Sequence, residues 1–178
     1  MTNPERYQLP FDFRRRPDPS QIYYELGFTG REHQEEGAGR FVRQLREEVL
    51  IRSPYDAAEH LLANIFVPFE SFDQEELWAC ILNTKNRITH EAMIYRGTVN
   101  SINIRPAELF KEAVRVNAPA LVLSHIHPSG STEPSPPDIQ VTEQAVAAGK
   151  LLGIEILDHI IVGKDSWLSL KEKSLGFF

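Results

Sequence analysis

The sequence predicts an α/β domain, a mixed and curved β-sheet flanked by helices, and three observations predict it. Two stretches, "ALVLSHIH" (120–127) and "IEILDHIIVG" (154–163), are nearly continuous apolar runs, as in strands covered on both faces. Between them, "PPDIQVTEQAVAAGKLLG" (136–153) opens on prolines and closes on Gly153, as a crossover helix does. Taken along the chain, the main body then reads β-β-β-α-β-α-β-β, an order that calls for a sheet with helices packed on it.

The elements follow in turn. Residues 1–30 are rich in proline, glycine and aromatics without a sustained period and read as an extended arm. From Glu36 to Leu50 a helix is expected, because Phe41, Val42, Leu45, Val49 and Leu50 fall near helical spacing with charged residues between them. Residues 1–52 are therefore taken as an N-terminal arm and helix, packing on the body or binding a partner, and residues 53–178 as the main domain. Ser53, Pro54 and Asp56 are start signals for the next helix, whose face is lined by Ala57, Leu61, Leu62 and Ile65. "ELWACILNT" and "RITHEAMIYRG", joined at Lys85-Asn86, read as a hairpin, and "VNSINI" as a further short strand. "PAELFKEAVRVN" is a helix ending near Asn117, and "SWLSL" is the last strand.

Bulk properties exclude several classes. Apolar residues at 42% and charged residues at 25% are those of a soluble globular chain, and no apolar run is long enough for a membrane span. The first residues lack the pattern of a secretory signal, and the single cysteine, Cys80, has no partner for an intrachain disulfide. A cytoplasmic protein is expected, with Cys80 as a small buried hydrophobe. Net charge is −6, and since residues 1–52 balance nine basic against nine acidic side chains, the excess lies in the main domain. That sign repels phosphate backbones and argues against nucleic acid as a partner. Arg14-Arg15-Arg16, flanked by Asp12 and Asp18, reads as a solvated arm.

Chemistry concentrates in "LSHIHPSGSTEPSPPD" (123–138). Side chains two apart on a strand share a face about 6.5–7 Å apart, so His125 and His127 can hold one ion while Ile126 points away. Imidazole pairs suit zinc, and Asp138 is the natural third ligand once Pro128 to Ser131 turn the chain back. The plainer reading stands beside it: Ser135, Pro136, Pro137 and Asp138 also make a good helix N-terminus. Composition and spacing leave these two open.

The array His125-x-His127, seven residues, Ser135, two residues, Asp138 resembles the JAMM (MPN+) metalloprotease motif. Its surroundings, "RGTVNSINIRPAELFKEAVRVNAPALVLSH" and "LGIEILDHIIVG", resemble the RadC-like branch of that family over about residues 53–178. The resemblance implies a JAMM/cytidine-deaminase-like layout, zinc held by His125, His127 and Asp138, and a glutamate on an early strand as general base. Glu76 fits that place best; Glu75 is its neighbour and Glu91, on the next strand, its rival. Ser135 is implied to orient water and hold the oxyanion. Ser124 is expected to satisfy backbone groups, and Asp158 with His159 to form a satisfied core pair, a role behind the zinc ligands being the alternative.

The implied activity is zinc-dependent hydrolysis of peptide or isopeptide bonds, with a protein or peptide substrate such as a ubiquitin-like conjugate. Two other functions compete: a catalytically silent scaffold, which the complete ligand set opposes, and a DNA-repair-associated role, which the acidic domain opposes. Residues 1–52 also depart from the N-terminal region usual in longer RadC-like proteins. Phe177-Phe178 and the segment from Phe41 to Leu50 offer apolar surface either to a second copy or to this chain.

Overall fold

The structure, a computed structural model, describes residues 41–97 and 105–178. The predicted arm, the start of the first predicted helix and the strand "VNSINI" lie outside the described residues. Among the described residues six strands are seen: β1 (Val42–Leu50), β2 (Glu75–Leu82), β3 (Arg87–Gly97), β4 (Ala120–Ile126), β5 (Glu155–Val162) and β6 (Trp167–Ser169). Four α-helices accompany them among the described residues: α1 (Pro54–Asn64), α2 (Pro106–Leu109), α3 (Lys111–Arg115) and α4 (Pro136–Leu152). The sheet order is β1-β3-β2-β4-β5-β6, mixed because β4 and β5 run parallel across α4 while the other pairs are antiparallel.

Alternation along β2 sorts the two faces. Leu77, Ala79 and Ile81 join Leu121, Leu123 and Ile156 against Val141, Ala145 and Val146 of α4. Trp78, Cys80 and Leu82 join Val122, Ile126, Ile160 and Val162 against Ala57, Ala58 and Leu61 of α1. Each face is a buried apolar core. Truncating one buried leucine, such as Leu61, to alanine in such a core costs roughly 2–5 kcal/mol. Both long helices begin as their sequences predict. The Ser53 hydroxyl accepts from the Asp56 amide on α1, Ser135 and Asp138 form a reciprocal cap on α4, and Gly153 ends α4 in the left-handed conformation at φ 68°.

Two expectations are corrected here. The stretch "PAELFKEAVRVN" is two short helices rather than one, parted at the buried Phe110. The larger correction is that residues 42–50 form an edge strand, not a helix, so the sheet begins ahead of Ser53. Phe41, Leu45 and Val49 are spaced by four, and four is both one helical turn and an even number of strand residues. All three pack on the α1 face, as strand parity allows. The strand is irregular: its register on β3 shifts between Gln44 and Val49. Phe177 packs on the α4 face core, while Phe178 lies exposed.

Candidate metal centre

His125 is the penultimate residue of β4, and His127 follows the strand end, where its amide still donates to the Val162 carbonyl at 2.9 Å. Both rings face α4, whose first turn carries Asp138. The three donors converge. His125 Nε2 lies 2.8 Å from His127 Nε2 and 3.2 Å from Asp138 Oδ1, with His127 Nε2 3.6 Å from Asp138 Oδ2. One donor atom from each of the three residues fits within a 4.8 Å span, and all three residues are nearly withdrawn from solvent.

The hydrogen bonds around the rings decide what those atoms can do. The Ser131 carbonyl can only accept, so His127 Nδ1 donates to it at 3.0 Å and its Nε2 carries the lone pair. Behind His125 the same logic runs through three groups. Thr142 Oγ1 donates to the Asp138 carbonyl at 2.7 Å, so it accepts from His159 Nδ1 at 2.7 Å. His159 Nε2 then accepts from His125 Nδ1 at 2.9 Å, which leaves the lone pair of His125 on Nε2. Two imidazole lone pairs and a carboxylate therefore meet at one point, an arrangement that needs a cation or a proton between them. Two nitrogen donors and one oxygen donor fit zinc.

Charge follows the same pattern. Burial alone would raise the Asp138 carboxyl, but the His125 and His127 rings, when a proton rather than an ion sits at Nε2, and the Ser135 hydroxyl hold it well below the usual carboxylate range. Burial alone would lower the His127 imidazole, but Asp138 beside it raises it, with Glu75 adding to the effect. His159 is pushed well below the usual imidazole range by burial first and by His125 second, consistent with a neutral ring.

Strand parity places the candidate glutamates. Leu77 is the direct partner of His125 across β2 and β4, so Glu75, two residues earlier, shares the face of the histidines. Glu76 takes the opposite face, where its Oε2 accepts from Trp78 Nε1 at 2.8 Å and Arg96 lies 3.5 Å from its Oε1. The expectation for Glu76 is corrected accordingly, and the place near the histidines falls to Glu75. Glu91 is buried on the α1 side of the sheet, where it accepts from Arg43 Nε at 2.8 Å and from His60.

Ser135 is brought to the site, but its hydroxyl donates to Asp138 Oδ2 at 2.7 Å, and its amide donates to the same oxygen at 2.7 Å. Ser124 satisfies the Ile160 carbonyl, as expected. Asp158 and His159 part company. Alternation turns Asp158 to Ser169 and its own neighbour's amide, and His159 to the site. Thr142 was not legible as a site residue, although its place one turn after Asp138 on α4 is a signal that could have found it.

The chain matches the family model described as RadC-like JAB domain over residues 51–175, a span that contains His125, His127, Asp138 and the residues that hydrogen-bond to them. It is 48% identical over 133 residues to a UPF0758 protein of Chloroflexus aggregans, covering 75% of this chain and 56% of that one. It is 41% identical over 131 residues to a UPF0758 protein of Roseiflexus sp., covering 74% and 54%. A UPF0758 protein of Bacillus cereus is 43% identical over 136 residues, covering 75% and 58%. The chain thus spans little more than half the length of these relatives. A family model that takes in both strands, the crossover helix and all three converging donors leaves one assignment: the chain belongs to the RadC-like JAB domain family.

Proposed function

We propose that this chain is a zinc-dependent hydrolase of peptide or isopeptide bonds. The observation that carries the reading is the meeting of His125 Nε2, His127 Nε2 and the Asp138 carboxylate, with both rings held in the tautomer that turns a lone pair inward. Zinc held by these three would supply a Lewis acid that makes water acidic near neutral pH and polarises an amide carbonyl. Glu75, on the histidine face of β2, takes the proton of the attacking water and returns it to the leaving amine. Ser135 can serve the oxyanion by turning its hydroxyl away from Asp138 Oδ2, an oxygen that keeps the Ser135 amide. A ubiquitin-like conjugate is the substrate class proposed, in a cytoplasmic setting that suits a chain with one buried thiol.

The experiment is a pair of substitutions assayed for isopeptide and peptide hydrolysis with zinc content measured alongside. Glu75→Gln should abolish turnover with about one zinc per chain still bound, and Glu76→Gln should leave turnover largely intact. The reverse pattern would reject Glu75 as the base. A wild-type chain that takes up no zinc would remove the hydrolase reading and favour a scaffold.

A further inference from the structure

We propose that His159 and Thr142 are positioning residues that tie His125 and Asp138 into one closed ring, setting both the tautomer and the separation of two metal ligands. The inference rests on reading His125, His127 and Asp138 as ligands. The ring runs through three elements. His125 on β4 donates from Nδ1 to His159 Nε2 on β5 at 2.9 Å, and His159 Nδ1 donates to Thr142 Oγ1 on α4 at 2.7 Å. Thr142 donates to the Asp138 carbonyl at 2.7 Å, and the Asp138 carboxylate closes on His125 Nε2 at 3.2 Å. Its direction is fixed at one point only, because a main-chain carbonyl cannot donate. Remove the Thr142 hydroxyl hydrogen and His159 is free to take the other tautomer, which would offer His125 a donor and turn its lone pair the wrong way.

Geometry makes the ring rigid. His159 and Thr142 are buried at 1% and 0% exposure, so no water can replace either link without opening the core. The chemistry of the acceptor matters as well. Metal-bound imidazoles are commonly backed by a carboxylate or a carbonyl. Here His127 is backed by the Ser131 carbonyl and His125 by an imidazole, both neutral. Asp158, the carboxylate next in sequence to His159, is turned to Ser169 on the opposite side of the strand. The ring therefore orients His125 without adding negative charge behind it, leaving Asp138 as the charged donor of the three.

The test begins with the imidazole nitrogens of the wild-type, zinc-loaded chain, read by nitrogen-15 NMR. His125 Nδ1 and His159 Nδ1 should be protonated and His159 Nε2 should not be; a protonated His159 Nε2 overturns the proposal. Zinc affinity, measured by competition with a chromophoric chelator, should then fall about 10–100-fold in Thr142→Val and recover in Thr142→Ser. The metal-free unfolding midpoint separates this from a packing defect, since the loss should exceed anything the midpoint shows. Unchanged affinity in a folded Thr142→Val would also overturn it. Wild-type protein that binds no zinc would reject the ligand reading and this inference together, whereas zinc binding with the wrong His159 tautomer would reject the ring alone.

Discussion

One carboxylate, Asp138, caps a helix with Oδ2 and faces two imidazoles with both oxygens, and the two duties can be separated by measurement. Asp138→Ala should lose zinc outright and, with no metal present, still lower stability in urea unfolding by about 1 kcal/mol for the lost cap. His125→Ala should lose zinc without the helix penalty. A different histidine sets a pH dependence. Burial, with Arg115 second, lowers the His90 imidazole below 6.5. The folded state resists protonating it, so its contribution is complete above that value and is lost as the pH falls toward the lowered one. Unfolding of His90→Gln against wild type should show a flatter decline in stability just below pH 6.5, and identical slopes would place that decline elsewhere.

At the scale of elements, sequence patterns were legible where length or end signals leave one choice. "LWACIL" is a continuous apolar run too short for an ordinary helix and followed by turn residues, and α4 announces both its ends through Ser135 and Gly153. The Phe41, Leu45, Val49 spacing satisfies helix and strand alike, and only pairing with β3, a contact distant in sequence, decides it. The same parity explains the glutamates. Adjacent residues Glu75 and Glu76 cannot share a face, and which one turns inward depends on register with β4, which the sequence of β2 does not carry. Histidine spacing needed no partner strand, so the convergence of His125 and His127 was readable and the ring behind them was not. Glu91 belongs to the opposite face, joining α1 to β1 through His60 and Arg43. Glu91→Ala should cost about 3–5 kcal/mol, since it leaves two buried or half-buried donors without their acceptor, while zinc content per folded chain stays the same. Loop support is equally specific: a Cβ at Gly163 would lie 2.4 Å from the Gly130 carbonyl. Gly163→Ala should therefore shift the segment after His127 and cost roughly 1–3 kcal/mol, read by thermal unfolding and zinc affinity together.

For the whole molecule, three features bear on partners. The main domain is acidic, no helix among the described residues is long and apolar enough to cross a membrane, and the chain spans little more than half of its relatives. Because the donors come from β4 and α4, which belong to one continuous core, zinc at about 100 times its Kd should stabilise the fold by about 2.7 kcal/mol, visible as a rise in Tm that a chelator reverses. The reciprocal cap on α4 adds something to this. The amide hydrogens of Ser135 and Asp138 are held by the very side chains that make the site. Their exchange with deuterium is a clock inside the protein: the rate at which two protons leave would report how firmly an added metal is held, in a sample with no substrate, no dye and no assay of turnover.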